Sequence, residues 1–328
     1  MTLRIGLTYD LKSDYLAMGF SSEAAAEFDK EETVEGIEHA LAEFGYAVDR
    51  IGHIRALTER LAAGDRWDLV FNIAEGVAGY AREAQVPALL EAYDIPYTGS
   101  DPLTLSVSHH KGFTKQVVAG AGVGTAPFAL VTVSSDIDRV TMPFPLFVKP
   151  VSEGTGKGIN AGSRVTSRDE LISQCRYVLE TFSQPALVET YLPGREFTAG
   201  VVGSAGRAHV IGAMEICSSD GAESHAYTFF NKENYESVIR YAPVTDSQLT
   251  KAIEDVCLPA WDALGGRDFC RMDLRADAAG RLSFIEVNAL PGLNPLHSDL
   301  PIICRQQGIP YATLIGRVVD SARKRYRL

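Results

Sequence analysis

Cysteine is scarce and scattered. The chain has five, Cys175, Cys217, Cys257, Cys270 and Cys304, an odd number with no CxxC pair. Neither a disulfide framework nor a thiolate metal site can be read from that spacing, which fits buried free thiols in a reducing cytoplasm. No run reaches the roughly 18 consecutive apolar residues of a membrane span, and Met1-Thr2-Leu3-Arg4-Ile5-Gly6 enters a strand-like run without a signal-peptide pattern. The expectation is a cytoplasmic protein with no membrane partner. Long basic runs are missing and the net charge is −11, which argues against a nucleic-acid partner. The acidic total does not exclude an anionic ligand, because local Lys and Arg clusters can serve one. Ile5-Gly6-Leu7-Thr8-Tyr9 supplies no Gly-x-Gly-x-x-Gly after the first strand, so the dinucleotide fingerprint is absent. No internal repeat or low-complexity tract is visible.

What is present is an ordinary globular composition: 328 residues, 46% apolar and 22% charged, enough for about two or three domains. The first hundred residues alternate strand and helix signals. Strands read at Leu3 to Thr8, Tyr46 to Ile51 and Trp67 to Ile73; helices read at Glu31 to Phe44, Ile54 to Ala63 and Ala84 to Tyr93. That alternation predicts an α/β fold that starts with a parallel sheet covered by helices on both faces. Its ligand side is the carboxyl end of the strands, where Tyr9, Asp10 and Asn72 fall. Leu11 to Lys30 shows no clear period and reads as a long substrate-side loop. The turn formers of Ile95 to Pro102 mark a boundary, and Pro193-Gly194 opens a further region of strands. The predicted domains are 1–102, 103–190 and 191–328.

Four segments carry chemistry. In Phe284-Ile285-Glu286-Val287-Asn288-Ala289-Leu290-Pro291-Gly292 a strand places Glu286 and Asn288 on one face before a Pro-Gly turn. Arg271-Met272-Asp273 sits in a second strand, so Asp273, Glu286 and Asn288 can form an all-oxygen cluster suited to Mg²⁺ and nucleotide phosphates. The same residues also suit two polar-faced strands and a turn. Phe147-Val148-Lys149-Pro150 ends a strand with a Lys, and Glu153-Gly154-Thr155-Gly156-Lys157-Gly158 follows. Backbone N–H groups there can cradle phosphate, although the segment is not a Walker A loop and also reads as a hairpin tip. Leu187-Val188-Glu189-Thr190-Tyr191-Leu192 can pair its backbone with an adenine edge, with Glu189 accepting from the amino group and Glu196 from ribose hydroxyls. Either acid alone is also an ordinary solvated Glu.

In order, Lys111, Lys149 with its glycine-rich loop, Glu189-Thr190-Tyr191-Leu192, Gly194-Arg195-Glu196-Phe197, Arg271-Met272-Asp273 and Glu286-Val287-Asn288 resemble the ATP-grasp superfamily. Within it the chain is similar to the D-alanine–D-alanine ligase family over about residues 66 to 320, including Tyr97-Thr98-Gly99-Ser100 and His297-Ser298. The resemblance implies a three-domain ATP-grasp architecture with an N-terminal parallel-sheet domain. It implies an ADP-forming ligase that activates a carboxylate as an acyl phosphate and joins it to an amine or amino acid. Its implied cofactors are ATP and Mg²⁺, as two ions, with Mn²⁺ as a substitute, and the family expectation is a homodimer. Lys111, Lys149, Glu153, Gly154, Thr155 and Gly156 would hold phosphates. Glu189, Thr190, Tyr191, Leu192 and Glu196 would meet adenine and ribose. Asp273, Glu286 and Asn288 would bind the metal. Arg271 and the Gly292 N–H would stabilise the oxyanion, Ser298 would contact the acceptor, and Lys232 would ride a closing loop.

One departure lies in the phosphate loop, where the family's paired Ser residues become Thr155-Gly156, and the others fall at the first-substrate positions. The family's Gly-Gly loop after the first strand is replaced by Thr8-Tyr9-Asp10-Leu11-Lys12-Ser13-Asp14-Tyr15. Its His-Gly…Gly-Glu-Asp-Gly segment is replaced by Asn72-Ile73-Ala74-Glu75-Gly76…Arg82-Glu83-Ala84-Gln85. This pattern suggests a related ligase with another carboxylate substrate, with Glu75, Arg82 and Glu83 as candidates for its recognition; as helix-end charges they could equally be solvated. D-alanine–D-alanine ligase itself, and a non-catalytic ATP-binding sensor or scaffold, are the competing readings.

Overall fold

The computed structural model describes residues 3–22, 25–154, 156–218 and 239–328. The chain opens with β1 (Arg4–Thr8), a short α1 (Lys12–Ala17), α2 (Glu31–Glu43), β2 (Ala47–Gly52), α3 (Ile54–Ala62), β3 (Leu69–Asn72) and α4 (Gln85–Ala92). The strands pair in parallel in the order β2-β1-β3. Ile5 and Leu7 of β1 and all four residues of β3 are buried, because a parallel sheet covered on both faces leaves no wet side. Val34, Ile37, Ala40 and Leu41 line one face of α2 at the three-to-four-residue spacing of a packed helix. Gly45, at φ +78°, follows its end in the left-handed conformation glycine adopts without strain. The carboxyl ends of β1 and β3 are tied by Thr8 Oγ1 donating to Asn72 Oδ1 at 2.8 Å.

The connection after β1 is more ordered than a loop. Besides α1, Leu11 and Asp29 form a parallel bridge, and Tyr15 and Phe28 stack with ring centroids 4.2 Å apart. The Tyr15 hydroxyl donates to Asp10 Oδ1 at 2.5 Å. Six helical residues are too few to register as a period, which is why the sequence shows none here.

The middle of the chain runs through α5 (Pro102–His109), α6 (Lys111–Gly120), β4 (Phe128–Val131), β5 (Leu146–Pro150), β6 (Arg164–Val165), α7 (Arg168–Phe182) and β7 (Ala186–Thr190). Asp101 caps α5 by accepting from Thr104 N at 2.8 Å, and His110 caps α6 through Nδ1. The strands form an antiparallel sheet ordered β4-β7-β5-β6, with Val148 and Val188 packed on Leu171, Cys175 and Val178 of α7.

The last part holds β8 (Glu196–Val202), β9 (His209–Ser218), β10 (Ile239–Pro243), α8 (Ser247–Ala263), β11 (Phe269–Ala276), β12 (Leu282–Asn288), α9 (Asp299–Gln306) and α10 (Tyr311–Tyr326). Its antiparallel sheet is ordered β10-β9-β8-β11-β12. The largest apolar cluster joins this sheet to the first one, with Ile5, Ile37, Phe197, Met272, Phe284, Leu314 and Val318 in one contact set. Buried Asp268 reinforces that joint: it accepts from Gly99 N at 2.9 Å, Ser321 Oγ at 2.8 Å and Arg325 at 2.6 Å. No helix among the described residues is long and apolar enough to cross a membrane.

Candidate active site

Strands β11 and β12 pair so that Arg271 lies opposite Asn288 and Asp273 opposite Glu286. Directly opposed residues of an antiparallel pair share a face. Arg271, Asp273, Glu286 and Asn288 therefore project together, while Cys270, Met272 and Leu274 turn into the core. The Arg271 guanidinium donates to both oxygens of Asp273, at 3.2 and 2.9 Å, and to Asp299 Oδ2 at 3.0 Å. Thr198 Oγ1 adds a bond to Asp273 at 2.7 Å. Burial and the nearby Glu286 still raise the Asp273 carboxyl above its ordinary value, against the pull of Arg271. Asn288 Nδ2 is buried with no hydrogen-bond partner.

That face forms one wall of a cavity of about 620 Å³. The facing wall comes from the antiparallel sheet β4-β7-β5-β6. Lys149 at the end of β5 is 4% exposed; its Nζ lies 3.0 Å from Glu189 Oε2 on β7 and 3.6 Å from Glu286 Oε2. Lys111, at the start of α6, donates to the Glu153 carbonyl at 2.6 Å and lies 3.7 Å from Glu286. Glu286 thus faces two lysines across the cleft. Burial opposes the charge on Lys149, but Glu189 and Glu286 outweigh it and raise the ammonium above its usual value. Burial likewise opposes the charge on Glu189, which Lys115 and Lys149 nevertheless hold below the ordinary carboxylate range. At 4% exposure Glu189 is not a solvated acid.

The glycine-rich loop lies beside these lysines. Glu153 is braced by Gln184 at 2.6 Å and Lys157 at 3.2 Å, and Gly154 and Gly156 line the cavity. A Cβ at Gly154 would meet the Glu27 carboxylate, which would have to swing aside, and one at Gly158, where φ is +80°, would collide with the Pro150 ring. Thr155 lies outside the described residues, as does Lys232. Thr190, Tyr191, Leu192 and Glu196 continue the wall from the end of β7. The Tyr191 ring has the guanidinium carbons of Arg164 and Arg275 at 5.1 and 5.4 Å, and Arg275 also bonds Glu196 at 3.2 Å. Burial raises the Glu196 carboxyl despite Arg275. Gly292 and Ser298 close this end: a Cβ on Gly292 would sit 2.8 Å from Ser298 Oγ, which accepts from Asn294 N at 3.0 Å.

Every site residue expected from sequence, apart from the two outside the described set, lines this one cavity. So do Glu75, Arg82 and Glu83. They are not solvated helix-end charges: Arg82 donates to Glu27 Oε2 and contacts His109 Nε2, each at 2.6 Å, and His109 Nδ1 lies 2.9 Å from Glu83. Burial, then Glu83 and Glu27, push the Glu75 carboxyl well above its ordinary value. Lys115, Glu27, His109 and Asp299 escaped the sequence reading. Lys115 alone carried a signal, being one helical turn after Lys111; the rest come from elements with no motif of their own.

All donors on the β11–β12 face are hard oxygens, and its two carboxylates are crowded. That set fits Mg²⁺, which takes one or two protein carboxylates and fills its remaining positions with phosphate and water.

The chain is similar to known proteins along most of its length. Residues 117–320 match the family model described as the D-ala D-ala ligase C-terminus. A D-alanine–D-alanine ligase from Aquifex aeolicus is 29% identical over 288 residues, covering 88% of this chain and 93% of that protein. The Bordetella petrii ligase of the same name is 30% identical over 270 residues, 82% of this chain and 79% of its own. The crystal structure of a D-alanine–D-alanine ligase from Bacillus anthracis complexed with ATP superposes with a TM-score of 0.74 at 21% identity, covering 99% of each chain.

Proposed function

The chain belongs to the D-alanine–D-alanine ligase family, and from that premise we propose that it is an ATP-dependent carboxylate–amine ligase. A substrate carboxylate oxygen attacks the γ-phosphorus of ATP, and ADP leaves. The amine then attacks the acyl carbon; an amide forms, phosphate departs, and the amine nitrogen sheds its proton. The single observation that carries this reading is the shared cavity, where the lysines and glycine-rich loop of one sheet face the carboxylate-bearing strands of another.

Lys111 and Lys149 meet the phosphates, with Gly154 and Gly156 offering backbone. Glu189, Thr190, Tyr191 and Leu192 take adenine, and Glu196 the ribose. Asp273, Glu286 and Asn288 would hold Mg²⁺, which when bound neutralises phosphate charge. Arg271, fixed by Asp273 and Asp299, aims its guanidinium at the oxyanion together with the Gly292 N–H. One such donor is typically worth ~3–4 kcal/mol. Ser298 contacts the acceptor. In this reading Thr155 joins the phosphate loop and Lys232 the γ-phosphate, the protein works as a homodimer, and 1–102, 103–190 and 191–328 are its three domains. Glu75, Arg82 and Glu83 form a charged first-substrate end, which favours a carboxylate substrate other than D-alanine.

Phosphate release with ATP and Mg²⁺, measured across pairs of amino acids and small acids, tests this. Release that requires two partners is expected, with a pair other than D-alanine and D-alanine the fastest. Nucleotide binding without turnover for any pair would point instead to an ATP-binding sensor or scaffold.

A further inference from the structure

Lys115 is a fully buried lysine that the proposed chemistry does not use; burial pulls its ammonium below the usual value, against the opposing pull of Glu189. It sits on α6 one turn beyond Lys111, with its side chain 0% exposed and behind the cavity wall. Its Nζ lies 2.6 Å from Glu189 Oε1 and donates to Thr125 Oγ1 at 2.5 Å; Thr125 in turn donates to the Phe284 carbonyl at 2.8 Å. The other oxygen of Glu189 faces Lys149 at 3.0 Å. One carboxylate is therefore shared by two lysines, one hidden and one at the cavity. Were Lys149 its only counter-ion, the two charges would cancel and Lys149 would present no net charge to phosphate.

We propose that Lys115 is a positioning residue for the nucleotide: it neutralises and anchors Glu189 from behind, so that the charge of Lys149 is left for the phosphates. Glu286, 3.6 Å from Lys149, is the other acid that competes for it, and it is among the residues that would hold the divalent cation. The inference rests on the ATP-binding reading above and adds a residue that cannot touch ATP. Thr125 extends the anchor to the backbone of β12, so the same lysine links the two sheets that form the cleft.

The test is calorimetric titration of the whole chain, with Mg²⁺, by ATP and by AMP. Lys115→Met is expected to weaken ATP by about tenfold or more while AMP changes less than threefold, because the effect scales with phosphate charge. Lys115→Arg should hold the ATP-to-AMP affinity ratio within about threefold of the parent. In the Glu189→Gln background, where no carboxylate competes for Lys149, adding Lys115→Met should leave the ratio unchanged. This double variant also decides the matter if Lys115→Met alone does not fold. Equal loss of ATP and AMP affinity in Lys115→Met, no loss at all, or a tenfold fall of the ratio in the double variant overturns the proposal. A parent protein that binds neither nucleotide overturns the ligase reading, and this inference with it. A parent that binds both, with a ratio insensitive to Lys115, overturns this inference alone.

Discussion

The two ends of the cavity are built in opposite ways. At the nucleotide end Lys149, Glu189, Asp273 and Glu286 sit on strands, Lys111 and Lys115 sit on α6, and each of these lysines faces a carboxylate across a sheet or cleft. At the other end the charges come from the long connection after β1, a short turn after β3 and the end of α5, and they pair among themselves. Glu27 holds Arg82, Arg82 meets His109, and His109 meets Glu83. Strands fix a side chain by register, so the first end is rigid and chemically generic. The second end is held chiefly by side-chain bonds between connecting segments and can change its ligand without disturbing the sheets.

That contrast is open to measurement. The largest effect belongs to the nucleotide end: Glu286→Gln should lower turnover by about 10³-fold or more while moving the melting temperature only a few degrees, since the side chain faces the cavity and not the core. Near-normal phosphate release in that variant would defeat the metal assignment. Arg271→Met comes next. It removes the proposed oxyanion donor and should cost about 10²–10³ in kcat. It also leaves Asp273 and Asp299 without their shared cation, so a lowered melting temperature should accompany the kinetic loss. At the other end, Glu75→Gln and Arg82→Ala should raise KM for the carboxylate substrate by about tenfold and leave ATP affinity within about twofold. Equal damage to ATP binding would erase the distinction between the ends.

Much of the nucleotide end was legible in the sequence because strand periodicity is exact. Two-residue spacing put Glu286 and Asn288 on one face, and the register of β11 with β12 did the rest. Lys149 was legible because it ends an apolar strand beside a glycine-rich turn. Glu189 was only half legible: its place on β7 was visible, but the two lysines that bury it come from elements far away in sequence. Lys115 looked like one more helical charge, since nothing local says which face of α6 meets Thr125 and Glu189. The acid-rich end was least legible. Its pairs, Glu27 with Arg82 and His109 with Glu83, join segments 55 and 26 residues apart that have no periodic pattern. The α1 turn hid for the same reason, being shorter than two helical turns.

The smallest effect expected comes from Asp29, which faces the acid-rich end. Burial, together with the nearby Asp10 and against a bond from Thr33, pushes its carboxyl up to about 7. A carboxyl raised in the folded state binds its proton more tightly there than in the unfolded chain, whose value is near 3.8. Its contribution is therefore fully favourable below about pH 4, declines as pH rises, and is spent above about pH 7. Asp29→Asn cannot ionise and removes that slope. The variant should match the parent's melting temperature near pH 4 and exceed it by a few degrees at pH 8. A binding partner that supplies a positive charge to this end should narrow the gap at pH 8, because it favours the ionised parent. The nucleotide alone should not, since it is an anion and brings no positive charge to Asp29. Identical pH profiles for parent and variant would mean that Asp29 is solvated, and that the two ends differ less in electrostatic environment than their hydrogen bonds imply.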